Sequence, residues 1–170
     1  ELARVDDVPS RPCGEAFDLS RLVSEAVLPF EPLFYERGLG LESDIEPGIC
    51  VRGDAEGLSR VLGILLDNAQ KYSSPGGRAL VYLRRAGYRH CLLRVESPGE
   101  PLSSRELRDI FKRFYRTDAA RSSGGYGLGL AIAKGIVESQ RGKLWAEAIQ
   151  GGNRFCVRLQ ISRAGKGTAR

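Results

Sequence analysis

Hydrophobic positions in the first part of the chain recur with the period of a helix. Leu22, Val23, Ala26, Val27, Phe30, Leu33 and Phe34 fall on one face of a segment running to about Gly38, with Asp18 or Ser20 as its N-cap. Pro29 and Pro32 lie inside it and each removes a helical hydrogen bond, so a kink or break is expected there. Residues 15–19 read as a short edge strand before this helix. Residues 39–45 alternate as a strand, Glu46-Pro47-Gly48 turns the chain, and 49–52 form a second strand arm. Asp54 is placed to cap a helix reaching Tyr72, whose stripe is Leu58, Val61, Leu62, Leu65 and Ala69. The run 73–77 stops it. Strands at 79–84 and 91–97 follow, joined near Ala86-Gly87, and then a helix from Ser103 or Ser104 to about Phe114. The polar run 117–125 is expected to be mobile. Leu128, Ile132 and Ile136 restart the helical period as far as about Gln140, and 143–148 with 154–161 make a closing hairpin. These helices cannot all be crossovers of a parallel sheet. The pattern predicts an α+β two-layer sandwich, with a mixed, mostly antiparallel sheet and helices on one face.

Composition sharpens this only a little. The chain has 170 residues, 42% of them apolar and 28% charged, as expected of one soluble globular domain. No run approaches the ~20 apolar residues of a membrane span, and residues 1–10 lack signal-peptide character. The net charge of +5 comes from basic residues scattered among acids, as in RELRDIFKRFYRTD, which speaks for an anionic small ligand or an acidic partner face rather than nucleic acid. Cys13, Cys50, Cys91 and Cys156 stand far apart with only His90 for company, which excludes familiar zinc spacings and suggests reduced, buried thiols of a cytosolic protein. Residues 1–14 read as a connector from something upstream, 15–162 as the folded domain, and 163–170 as a disordered tail.

Two features carry chemistry. Gly124, Gly125, Gly127 and Gly129 lead directly into a helix, and a helix N-terminus reached through bare backbone is a site for anions. Asn68 is the polar exception on the preceding long helix. At 100° per residue it lies within ~40° of Ile64 and Val61, on the face expected to meet the sheet. An unpartnered buried amide costs ~1–3 kcal/mol, so it needs a reason. Its oxygen suits Mg²⁺, and Lys71 one turn on suits phosphate. The plainer alternative has Asn68 capping a neighbouring loop and Lys71 pairing with Asp67. Together, the glycine approach and the Asn68 face supply both ends of a magnesium–nucleotide site.

LLDNAQKYS, IFKRFYR and GGYGLGLAIAKGIVE resemble, in order and spacing, the N box, F box and second glycine box of sensor histidine kinases. The likeness spans about 17–159 and is to the ATP-binding catalytic domain of those kinases, within the GHKL superfamily. It implies the Bergerat ATP-binding fold, with ATP between the N-box helix and a mobile lid at about 116–125. Carried over, Asn68 holds Mg²⁺, and Lys71 and Tyr72 approach phosphates or ribose. The N–H groups of Gly127, Leu128 and Gly129 hold phosphate oxygens, while Leu102, Gly125 and Leu130 complete the nucleotide contacts. Arg113 and Arg116 serve phosphate or partner helices. The first glycine box, ordinarily Asp-x-Gly-x-Gly, falls on Ser97, Gly99 and Pro101, so the family's adenine-reading Asp is a serine here. A neutral partner is generally weaker than a carboxylate, and adjacent Glu96 points to the other face by alternation. Ile64 stands where the family often has an Asn.

The resemblance implies a protein-histidine kinase whose phosphoacceptor lies elsewhere. Its partners would be upstream dimerisation and phosphoacceptor helices and a response regulator receiver domain. Neither nucleic acid nor membrane is expected to touch this domain, placed in the cytoplasmic part of a membrane-anchored sensor. His90, in GYRHCLL, is read as a turn residue, not a phosphoacceptor. Phe111 and Phe114 are expected to pack, and Trp145 to sit half-buried on a strand. Two other readings stay open on the sequence. One is a docking module that regulates a partner kinase without nucleotide, favoured by Ser97, Ile64 and Pro101. The other is an anti-sigma-type serine kinase, which IFKRFYR fits less well.

Overall fold

A computed structural model describes residues 14–117 and 127–163. The expected linker 1–14, save Gly14, the lid from 118 onward and the tail from 164 lie outside those residues. The sheet has five strands in the order β2-β4-β5-β7-β6, namely β2 (Gly40–Ile45), β4 (Arg78–Ala86), β5 (His90–Pro98), β7 (Gly152–Gln160) and β6 (Lys143–Ile149). Only β2 and β4 are parallel, with Gly40 opposite Arg78, and every other pair is antiparallel. This is the mixed, mostly antiparallel sheet that the alternation predicts.

Alternation also divides the two faces. Ala79, Val81 and Leu83 of β4, Leu93 and Val95 of β5, and Val157 and Leu159 of β7 are buried. They pack in one core with Leu58, Val61, Leu62, Leu65 and Leu66 of α3 (Ala55–Tyr72) and with Ala133 and Val137 of α5 (Gly129–Ser139). Burying a side chain such as Leu62 contributes roughly 1.5–3 kcal/mol, so this shared core fixes how α3 and α5 sit on the sheet. The opposite face is polar. There Arg154 bridges Glu96 at 3.3 Å and Glu147 at 2.5 Å, and the Trp145 indole donates to Glu147 at 2.8 Å. Glu96 thus points away from the helical layer, as its place beside Ser97 requires. His90 opens β5, opposite Ala86 and Gln160.

The first helical segment breaks where its prolines fall. α1 (Leu19–Val27) gives way to a 3₁₀ turn at Leu28–Phe30 and then to α2 (Glu31–Glu36). Asp18 is its N-cap and accepts from the Arg21 N–H at 3.0 Å. Ser20 is buried instead, donating to the Glu46 carbonyl at 2.5 Å and accepting from the Ile49 N–H at 3.0 Å. That clamp corrects one expectation. β3 (Cys50–Arg52) is not a second arm of β2. It pairs antiparallel with β1 (Ala16–Asp18), because Ser20 holds the 46–49 loop against the start of α1.

α4 (Ser104–Asp109) is shorter than expected. Ser103 and Glu106 form a capping box, but the helix ends at Asp109 rather than Phe114. Phe114 has a φ of 63°, which no helix accommodates, and its N–H donates to the Gly127 carbonyl at 3.0 Å. A long-range bond thereby overrides local periodicity. Phe111 packs edge-on against Phe155 with centroids 6.1 Å apart, whereas Phe114 is 70% exposed, contrary to its expected role in packing. No helix among the described residues is long and apolar enough to cross a membrane.

Candidate functional site

A cavity of about 480 Å³ opens between α3, the ends of β5 and β7, the segment after α4 and the start of α5. That is the size of a small-molecule site. Each wall follows from a periodicity already described. On α3, Ile64, Asn68 and Tyr72 stand one turn apart and line it, with Leu65 and Ala69 beside them. On the sheet, Val95 is opposite Phe155 and Ser97 opposite Asn153, and all four line it.

Asn68 does not meet the sheet, as its helical phase suggested. It is half-buried at the margin of the apolar stripe, where the cavity intervenes. Its carboxamide has no hydrogen-bond partner among the described residues, so the loop-capping alternative finds no acceptor or donor there. Lys71 does pair with Asp67 at 2.8 Å, and Gln70 donates to the same carboxylate at 3.0 Å. Lys71 and Asp67 nevertheless both line the cavity, with side chains 40% and 43% exposed.

Facing α3 is the start of α5. Gly127 has a φ of 68°, and a Cβ on it would lie 2.7 Å from the Tyr115 carbonyl oxygen, so only glycine fits. Leu128 is the N-cap residue and offers no side-chain cap. The first bond of the helix runs from Ile132 to Leu128 at 3.0 Å, and Gly127, Leu128, Gly129 and Leu130 line the cavity. The earliest N–H groups of α5 have no acceptor within the helix, and its dipole places partial positive charge there.

Ser97, Gly99, Leu102 and Arg116 also line the cavity. Arg113 is exposed and is not among the lining residues. Gly125 lies outside the described residues. Sequence reasoning missed Asn153, which follows a Gly-Gly turn and reads as turn chemistry. It accepts from the Leu102 N–H at 2.7 Å and donates to the Glu100 carbonyl at 2.9 Å, fixing the segment after β5. Among the described residues, Cys50, Cys91 and Cys156 do not line the cavity. Cys91 and Cys156 are buried in the sheet, and burial pushes each thiol up to about 11.

The donor set suits a hard cation with a polyanion. A half-buried amide oxygen without a partner among the described residues, an ammonium one turn away and a bare helix N-terminus all border the same volume. The residues present therefore fit Mg²⁺ and a phosphate chain.

A sequence model of the histidine kinase-, DNA gyrase B- and HSP90-like ATPases matches residues 53–163. The chain is 37% identical over 166 residues to the signal transduction histidine-protein kinase/phosphatase MprB of Mycolicibacterium smegmatis, covering 89% of this chain and 33% of that protein. It is 33% identical over 161 residues to the sensor protein DltS of Streptococcus agalactiae, covering 94% of this chain and 40% of that protein. It thus spans about a third of the length of MprB. Among solved structures, a mycobacterial sensor histidine kinase MprB matches with a TM-score of 0.78 at 32% identity, over 88% of this chain and 100% of the other. The catalytic domain of histidine kinase ThkA shares the fold with a TM-score of 0.76 at 24% identity, over 86% and 94% of the two chains. The chain belongs to the family of histidine kinase-, DNA gyrase B- and HSP90-like ATPases.

Proposed function

We propose that this chain is the catalytic ATP-binding domain of a two-component sensor histidine kinase, binding Mg-ATP and presenting its γ-phosphoryl to a histidine on a separate helical domain. The observation that carries the reading is the cavity with Asn68 on one wall and the uncapped start of α5 on another. In this reading the Asn68 oxygen holds Mg²⁺, which when bound neutralises phosphate charge. The Gly127, Leu128 and Gly129 N–H groups orient phosphate oxygens, and Lys71 adds a mobile positive charge. Tyr72 and Arg116 border the phosphates and ribose, and the base lies toward Ser97, Gly99 and Leu102. The chain's own contribution is positioning and charge neutralisation, because phosphoryl transfer asks little else of the protein.

The domain assignment follows from that. Residues 15–162 act as the ATP-binding unit, with dimerisation and phosphoacceptor helices preceding it. The acceptor of the next transfer is a response regulator receiver domain, and the unit works in the cytoplasm. The names of the MprB and DltS relatives, a histidine-protein kinase/phosphatase and a sensor protein, support this assignment. Calorimetric titration with an imido analogue of ATP, with and without Mg²⁺, is the test. Binding should depend on Mg²⁺, and Asn68→Ala should abolish that dependence while the circular dichroism spectrum and melting temperature are kept. Equal binding by the variant would overturn the assignment. No binding by the unchanged chain would leave it a docking module.

A further inference from the structure

Resting on the nucleotide reading above, we propose that the site accepts purine nucleoside triphosphates without discriminating adenine from guanine, and that Ser97 is the residue responsible. The phosphate-binding groups gather at the start of α5 and around Asn68, which leaves the base to the apolar part of the cavity. Leu65, Ala69, Val95 and Phe155 line that part, and none of them can read a hydrogen-bonding edge.

Few polar groups remain to do so. The Asn153 carboxamide is held to the segment after β5 by its bonds to Leu102 and Glu100, which use one of its two N–H groups and one of its two lone pairs. The Gly99 N–H donates to the Gly151 carbonyl at 3.0 Å, and the Pro98 carbonyl accepts from the Ser74 N–H at 2.9 Å. Of the two lining carboxylates among the described residues, Asp67 is engaged by Lys71 and Gln70, and Glu100 is exposed. Tyr115 and Arg116 run beside Gly127 at the phosphate end, with Thr117 next in the chain, and Tyr72 stands one turn past Asn68, so toward the apolar end the described side-chain hydroxyls are those of Ser97 and Ser74, neither with a hydrogen-bond partner among the described residues. Ser97 is half-buried, on the strand position that faces inward beside Val95.

A hydroxyl carries one donor and two acceptor lone pairs and rotates to suit. It accepts from an exocyclic amino group, as on adenine, or donates to a ring carbonyl, as on guanine. An ionised carboxylate only accepts, and would leave a carbonyl facing it unpaired. Discrimination between bases comes from a group left unsatisfied by the wrong one, and Ser97 leaves none.

Calorimetry of the chain with the imido analogues of ATP and GTP, each with saturating Mg²⁺, decides this. Both should bind, with affinities within about tenfold of each other. Ser97→Asp, which installs an acceptor-only group, should raise the preference for the adenine analogue by at least about tenfold. Ser97→Ala should weaken both analogues by a similar factor. An adenine preference beyond about tenfold in the unchanged chain overturns the inference and leaves the nucleotide reading standing. Failure of both analogues to bind overturns the two together.

Discussion

Asn153 accepts from the Leu102 N–H at 2.7 Å across 51 residues of sequence, and its amide nitrogen donates to the Glu100 carbonyl at 2.9 Å. One strand residue therefore holds both ends of the segment that walls the cavity beside Ser97. Asn153→Ala should cost about 1–3 kcal/mol, because two backbone groups lose their partner at once. It should also weaken a Mg-dependent ATP analogue severalfold by loosening that wall. Asn153→Asp keeps the acceptor for Leu102 and should lose less of both. Thermal denaturation and calorimetry on the two variants check this, and an alanine variant that melts with the unchanged chain refutes it.

Two glycines, one just before α5 and one inside it, should respond in opposite directions. At Gly127 the φ of 68° and the 2.7 Å approach of a Cβ to the Tyr115 carbonyl leave no room for a side chain. Gly127→Ala should displace the bond from Phe114 and weaken nucleotide binding. Gly135 is exposed inside α5, and a Cβ there would touch nothing. Gly135→Ala should therefore stabilise the chain by roughly 0.5–1 kcal/mol, through helix propensity alone, with binding unchanged. Denaturant melts of the pair decide it. Equal effects from both substitutions would mean that the position of the glycine is irrelevant.

Legibility in the sequence tracked how local the deciding interactions are. α3 and the β4–β5 hairpin follow from their own periodicity, and the break between α1 and α2 falls where Pro29 and Pro32 remove helical bonds. The pairing of β3 was not readable, because alternation identifies a strand and is silent about its neighbour. A buried serine, Ser20, settles that pairing from 29 residues away. The end of α4 was hidden for the same reason, since Phe114 answers to Gly127 rather than to its own helical phase. In the cavity, side chains carried by short motifs, such as Asn68 and Lys71, could be named in advance. Asn153 could not, because its partners lie far along the chain and its neighbours spell a turn.

Buried thiols make the chain sensitive to alkali. Cys91 and Cys156 are raised from an ordinary 9.0 to about 11 by burial, so the folded state keeps protons that the unfolded state gives up. Their contribution is intact below pH 9 and is lost as the pH rises toward 11, by about 2–3 kcal/mol per thiol at most. Urea melts at pH 7 and pH 10 should show lower stability at the higher pH. The double variant Cys91→Ala, Cys156→Ala should start less stable and fall less over that interval. A slope unaltered by removing both thiols rules them out as its cause.

Lys71 separates a structural role from a ligand-directed one. Its ion pair with Asp67, at 2.8 Å between half-exposed side chains, is of the kind that contributes only about 0.3–0.5 kcal/mol. Lys71→Gln should therefore leave the melting temperature nearly unchanged. If its ammonium serves phosphate, the same variant should lose roughly tenfold in affinity for the ATP analogue, the scale of one charge-assisted hydrogen bond. Adenosine, which has no phosphate, should bind the variant and the unchanged chain equally. Raising the salt concentration should narrow the difference for the analogue, since a partly exposed charge is screened. A parallel loss with adenosine would instead mean that Lys71 acts by shaping α3, and the phosphate role would have to pass to the N–H groups of α5 alone.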